Sequence, residues 1–301
     1  MPDSPVTYPL DPVSVSGTLI TLDQYVQQPT VITRAIADLS LEHLYAHKIF
    51  SAGPGVSGGA ILFERPNPLL TDLYAARRTQ EVAPGTEFPE NAFNRGVPMV
   101  ARPRKIGDKF QVTKEDKKRN NPALILQAMQ KNANTLTRDL EIMALSELTA
   151  VITAESRTFA GTSWGTELSK TVLETTHIGQ PLTDISGAKT AVELEERGHV
   201  LNGAIFNPHD WLNLVNYYGS KDIDAALEAV GITERYVTPR QARGKVKLYE
   251  SGGVGVWSNE FPLEEDTWEE KQTQSWWYQW SVSPAFAVTD QFAMIEVTGV
   301  E

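Results

Sequence analysis

The chain has 301 residues, an apolar share of 41% and a formal charge of −11, from 27 Lys+Arg against 38 Asp+Glu; this is enough for one large or two modest domains with a proper core. The acidic balance argues against sequence-specific DNA binding, since duplexes are held by basic surfaces that release phosphate counterions. Cysteine is absent, which excludes disulfides, thiolate metal sites and a cysteine nucleophile.

The start, Met1-Pro2-Asp3-Ser4-Pro5, has neither a basic nor an apolar signal region, and no apolar run approaches the roughly 18 residues of a membrane span. Neither secretion nor membrane insertion is expected, and cytoplasmic folding is the default. Pro2, Pro5, Pro9, Pro12 and Pro29 make the first thirty residues an extended arm, which needs a surface to lie upon. Ile36, Leu39, Leu44 and Ile49 then mark a short amphipathic helix over Thr33 to Phe50, closed by Pro54, Gly55, Gly58 and Gly59.

Ala60 to Phe63 and Gly96 to Val100 read as strands around a polar stretch from Arg77 to Arg95, with another strand at Lys109 to Val112. The pattern predicts a two-stranded projection. Isolated hairpins are marginal in water, so such a projection needs an outside surface, and together with the arm it points to partner subunits. The basic run Lys114, Lys117, Lys118, Arg119 is interleaved with Glu115 and Asp116 and reads as a solvated face rather than a phosphate track.

The segment from Ala123 to Ala160 contains no Gly or Pro and is bracketed by Asn121-Pro122 and Gly161. It predicts one helix on the order of 55 Å long at 1.5 Å per residue, capped by Asn121, opened by Pro122 and ended by Gly161. Ile125, Met129, Leu136 and Leu140 give its first half an apolar stripe. From Ile142 through Met143, Ala144, Leu145, Leu148, Ala150, Val151 and Ile152 the apolar residues cover nearly the whole circumference, which predicts burial on most sides. No heptad persists long enough for a coiled coil.

A mixed α/β body follows: a helix at Ala188 to Arg197, a strand at Gly203 to Phe206, and a helix at Pro208 to Tyr218. Strands are expected at Lys245 to Tyr249, Val254 to Trp257, Trp276 to Val282 and Phe292 to Val297, with the acidic stretch Glu260 to Glu270 between the second and third.

Several motifs resemble chemistry without its context. Ser57 and Ser163 each sit in Gly-x-Ser-x-Gly, but neither lies between a buried strand and a helix as a nucleophile elbow requires; Ser163 with Asp184 and His199 or His209 is the one workable triad order. Gly53-Pro-Gly55-Val-Ser-Gly58 matches a dinucleotide fingerprint but has no βαβ unit around it. His43 and His47 are four apart on a helix without the catalytic glutamate of a zinc motif. Alternation around Trp276, Trp277 and Trp280, with Trp268 nearby, fits a strand packing its rings rather than a ligand platform.

Glu81-Val-Ala-Pro-Gly85-Thr-Glu-Phe-Pro89 resembles the loop segment of tailed-bacteriophage major capsid proteins of the Hong Kong 97 type, and it stands upstream of a long helix as in that family. Lys105 to Glu115 is similar to their return strand, Phe206-Asn-Pro-His-Asp-Trp211 to their strand-to-helix junction, Gly253 to Pro262 to a later strand, and Ala285 to Val297 to the closing strand. The resemblance implies an α+β fold with an N-terminal arm (1–32), a short helix and linker (33–57), an extended β-hairpin loop (58–113), a spine helix with part of a peripheral domain (114–180), an axial domain (181–275) and closing peripheral strands (276–301).

It also implies a virion protein, assembled in the host cytoplasm as hexamers and pentamers of an icosahedral head around double-stranded DNA held without sequence specificity. A phage of actinobacteria is the expected source. Neither cofactor nor catalysis is implied. Separate scaffolding, decoration and portal proteins are possible partners; only a short arm precedes the first helix, so a built-in scaffolding extension is not expected. Arg77, Arg78, Glu81, Glu87, Phe88, Glu90 and Arg95 are the candidate inter-subunit contacts. Ala75 to Gly96 holds no lysine, so no loop-lysine isopeptide cross-link is expected. The alternative within the same fold is an encapsulin, a nanocompartment shell whose N-terminal helix docks cargo; the Pro-rich arm favours the phage reading.

Overall fold

The computed structural model describes residues 45–56, 58–67, 73–74, 79–90, 96–119, 122–167, 181–219 and 222–301. The expected arm, most of the first helix, Ser57, His43, Arg77, Arg78 and Arg95 lie outside the described residues.

A helix, α3 (Pro122–Ala154), runs along the molecule between two sheets and spans about 50 Å at 1.5 Å per residue. It stops short of the expected end at Ala160. Ser156 turns left-handed at φ 52°; Arg157 N–H donates to Ile152 O at 2.9 Å and Ser156 N–H to Thr153 O at 3.4 Å. This is a Schellman cap with serine in the position glycine usually takes. It frees Thr158–Ala160 to become strand β5.

The burial of α3 corrects the expectation for its second half. Ala133, Leu136, Ala144, Leu145, Leu148, Val151 and Ile152 are buried, yet Ile142 is 42% exposed and Ala150 and Ala154 are exposed. From Ala133 to Ile152 a single stripe therefore faces the core. Apolar residues on its other faces, Ile142, Met143 and Ala150 among them, line troughs.

The first sheet has the order β1 (Ser51–Ala52), β9 (Gly255–Glu270), β10 (Ser275–Val288), β4 (Ile106–Thr113). β9 and β10 are antiparallel along nearly their full length, with a register irregularity at Ser281 to Pro284. The acidic stretch expected to separate strands is part of β9. Glutamates are poor strand formers, but Trp276, Trp277 and Tyr278 across the ladder supply the apolar partners and solvent takes the charges. Inner-face residues Tyr278, Trp280, Val282 and Val112 pack on Ala133 and Leu136 of α3, and Phe110 stacks on Tyr278 at 4.9 Å. Trp276 and Trp280 pack on this side as their alternation predicted, whereas Trp277 stacks on the exposed Trp268 on the opposite face.

The second sheet has the order β5, β11 (Met294–Thr298), β8 (Lys245–Tyr249), β6 (Gly203–Phe206), β7 (Glu234–Val237). Alternation divides its side chains. Ile205, Tyr249 and Met294 face α3, together with Ile49 of α1 (Ala46–Ile49) and Phe50 just after it. Ala204, Phe206, Leu248 and Val297 face the helices α5 (Pro181–Glu193), α6 (Pro208–Tyr218) and α7 (Ile223–Ala229), which contribute Ile185, Leu214 and Leu227. The expected segments 181–275 and 276–301 each hold strands of both sheets, because β9 and β10 return to the first sheet while β8 and β11 sit in the second.

Local chemistry explains the joints. Asn207 caps α6, its side-chain oxygen accepting from His209 N–H at 2.9 Å, with Pro208 at the first helical position. α5 begins at Pro181, seven residues before the expected start at Ala188, and tolerates Gly187 because a Cβ there would stand 2.8 Å from the Phe159 ring. At Gly203 a Cβ would lie 2.2 Å from Tyr249 Cζ, so only glycine lets β6 and β8 close.

Candidate functional site

Two strands, β2 (Ile61–Arg65) and β3 (Val97–Ala101), pair antiparallel as a two-stranded sheet separate from the other two. The further strand expected at Lys109 to Val112 is part of β4, which pairs with β10. The hairpin has two unlike faces. Phe63 and Met99 face a trough of about 550 Å³ that is also lined by Met143, Glu147 and Val151 of α3 and Phe286 of β10. On the other face Leu62 and Val100, cross-strand partners, are 80% and 54% exposed.

The root of the hairpin is pinned. The buried Arg65 guanidinium donates to Val288 O from Nε at 3.3 Å and Nη2 at 3.2 Å. Gln291 Nε2 donates to Pro66 O at 2.6 Å, Arg197 Nη2 to Asn67 O at 3.5 Å, and Tyr74 Oη to Glu196. Beside this clamp His199 lies between two carboxylates, Nδ1 2.7 Å from Glu250 and Nε2 3.3 Å from Asp290. Hydrogen bonding to Asp290 raises the imidazole pKa against the opposing effect of burial, and Glu250 adds to it. Burial acts to raise the Asp290 carboxyl, but His199 outweighs it and holds the group below its ordinary range.

Beyond the root, residues 79–90 are almost entirely exposed, including Glu81, Glu87 and Glu90, and Phe88 is 79% exposed. A tight turn orders the middle: Thr86 N–H and Oγ1 both bond Ala83 O, at 3.1 and 2.7 Å, and Gly85 takes φ 87°. Four of the seven sequence-derived contact residues thus share one solvent-facing, anionic segment with an aromatic beside its carboxylates. Arg77, Arg78 and Arg95 lie outside the described residues. The exposed Leu62–Val100 pair and the Arg65 clamp were not anticipated; alternation within β2 and β3 was the available signal for the pair.

A second trough, of about 670 Å³, runs along a neighbouring side of α3 between Ile142, Thr149 and Ala150 and the second sheet. Its floor is ionic. Lys247 Nζ donates to Glu296 at 2.7 Å and to Gln241 Oε1 at 3.0 Å, Lys245 reaches Glu296 at 3.1 Å, and Arg240 reaches Glu141 of α3 at 2.9 Å.

The hydrolase constellation does not assemble. Ser163 Oγ donates to Glu301 O. Asp184 accepts from Thr162 N–H, Thr162 Oγ1 and Trp164 Nε1, each at 2.9 Å. His199 is held by Glu250 and Asp290, and His209 starts α6. Among the described residues no three His, Asp or Glu side chains group to hold a metal, and no helix is long and apolar enough to cross a membrane.

A projecting hairpin, a helix between two sheets and open troughs beside it are features of a protein that meets other chains, and comparison with known families agrees. Residues 96–297 match the family model described as phage capsid protein. The chain belongs to that family. Its architecture is the Hong Kong 97 type, an α+β fold with mixed sheets around a spine helix. The virus-like particle of Pyrococcus furiosus is similar over 91% of this chain and 99% of its own, at 12% identity and TM-score 0.56. A phage-related protein from Bordetella bronchiseptica RB50 is similar over 89% and 95%, at 18% and 0.53. Microbacterium phage Oxtober96 is similar over 85% and 90%, at 11% and 0.61. No curated protein matches. As a family member the chain is a structural, self-assembling capsid protein rather than an enzyme.

Proposed function

We propose that this capsid protein forms hexamers and pentamers that close into an icosahedral phage head around double-stranded DNA. The observation that carries the proposal is the hairpin. It leaves Leu62, Val100 and Phe88 uncovered by their own chain, and a neighbour lying under the loop would bury them. In this reading residues 58–113 hold the extended loop, 114–180 the spine helix and part of a peripheral domain, 181–275 an axial domain, and 276–301 closing peripheral strands, with 1–32 an arm over adjacent subunits. Glu81, Glu87, Phe88 and Glu90, with Arg77, Arg78 and Arg95, make the inter-subunit contacts.

The charge of −11 suits a container, which needs no tight phosphate contacts. Separate scaffolding, portal and decoration proteins are its proposed partners. An actinobacterial phage is the proposed source; Mycobacterium and Microbacterium phages are among the similar structures, beside archaeal and cyanophage ones. Expression of the chain alone, followed by electron microscopy, tests the reading. Closed shells or capsomers support it, and monomers at high concentration with and without scaffold refute it.

A further inference from the structure

The first sheet has two open edges of opposite charge. β9 carries Glu260, Glu264, Glu265, Asp266, Glu269 and Glu270 and no lysine or arginine. On the far side of the sheet β4 and its lead-in carry Arg102, Arg104, Lys105 and Lys109 against Asp108. Among the described residues, no strand pairs with the outer side of β4, and β1 covers β9 only at Val256 and Trp257.

Register places the charges on one face. Trp277 pairs with Trp268 and Gln111, Gln279 with Asp266 and Lys109, and Ser281 with Glu264 and Gly107. Side chains alternate along a strand, so Glu264, Asp266 and Lys109 lie on the face away from α3, and Lys105, just before β4, lines the same hollow as Lys109. All four are exposed. Beside β4 an open hollow of about 350 Å³ is lined by Lys105 to Lys109 and Gln279 to Ser281.

We infer that the acidic β9 edge of one subunit docks against the basic β4 edge of the next, a head-to-tail contact between copies of this chain. This rests on the shell reading. Charged edges ordinarily keep a sheet from pairing with itself. Here like charge opposes β9 meeting β9 or β4 meeting β4, while the heterologous pairing joins opposite charges. Repeated with rotation, a heterologous contact closes rings. The occupant is therefore a second copy rather than an unrelated basic partner, since the same sheet presents both complementary edges.

The test uses the full chain with either Glu264→Lys/Asp266→Lys or Lys105→Glu/Lys109→Glu, followed by light scattering and negative-stain microscopy. Each pair alone is expected to raise the concentration for half-assembly tenfold or more at about 0.1 M salt. All four changes in one chain restore assembly, and a mixture of the two variants co-assembles in alternation. Circular dichroism and melting confirm folding, and the milder Lys105→Gln/Lys109→Gln chain gives an intermediate shift. Assembly of either reversed variant at the wild-type concentration overturns the inference, as does failure of the folded four-change chain. If the wild type forms no particles, the shell reading falls as well; if all chains form particles alike, only the edge contact falls.

Discussion

Buried ionic groups beneath the spine helix allow a quantitative test of what holds the second sheet together. Lys247 and Glu296 are directly opposed on β8 and β11, 4% and 2% exposed, and joined at 2.7 Å. Burial acts to raise the Glu296 carboxyl, but Lys247 and Lys245 outweigh it and keep it ionised. Replacing Glu296 with Leu leaves a buried ammonium with only Gln241 Oε1 as its acceptor, at 3.0 Å, and should cost about 3–5 kcal/mol. In the double variant Lys247→Met/Glu296→Leu no charge is stranded. What remains is Gln241 Oε1 without its donor, a loss of about 1–3 kcal/mol, and the apolar replacements offset part of it. Urea unfolding of dissociated subunits, followed by circular dichroism, should therefore rank the double variant as more stable than Glu296→Leu alone. A single variant within about 1 kcal/mol of wild type, or a double variant less stable than the single, would refute the reasoning.

Three further outcomes are expected. Phe88→Ser should change subunit stability by no more than about 0.5 kcal/mol, because the ring is exposed in the free chain, yet impair particle formation seen by electron microscopy; normal particles would remove Phe88 from the contact. The His199 site contributes stability that is complete below the ordinary imidazole value of about 6.5 and is lost as pH rises through its raised folded value. Asp290, depressed by its partner, loses its contribution as pH falls through the carboxylate range. Thermal melts should thus show a decline as pH rises above about 6.5 that His199→Gln flattens, and equal slopes would contradict the assignment. Mature particles on a denaturing gel should run as a single monomer band, since residues 75–96 hold no lysine; a covalent ladder would overturn this.

Elements with a strong local signal were legible from the chain alone. Pro122, the unbroken run after it, Asn207-Pro208 and the alternation of Trp276 to Val282 each locate an element because propensity and period agree there. Local signals misled where partners decide. Ser156 can end α3 because Arg157 and Ser156 N–H groups find carbonyls one turn back, a role composition assigns to Gly161. Glu264 to Glu270 form a strand because an aromatic strand lies alongside, which no window of acidic residues reveals. The candidate contact segment was located by its loop character, but the clamp at its root, in which Arg65, Gln291 and Arg197 take part, joins residues more than a hundred positions apart.

Composition and local pattern, then, determined a cysteine-free α/β chain with one long helix, a projecting hairpin and a need for neighbours, because propensity, capping and hydrophobic period act within a few residues. Tertiary structure decided which apolar side chains stay uncovered, where the ionic groups lie beneath the spine helix, and that one sheet presents an acidic edge and a basic edge. These depend on which distant strands lie side by side, and that is set by packing of the whole chain.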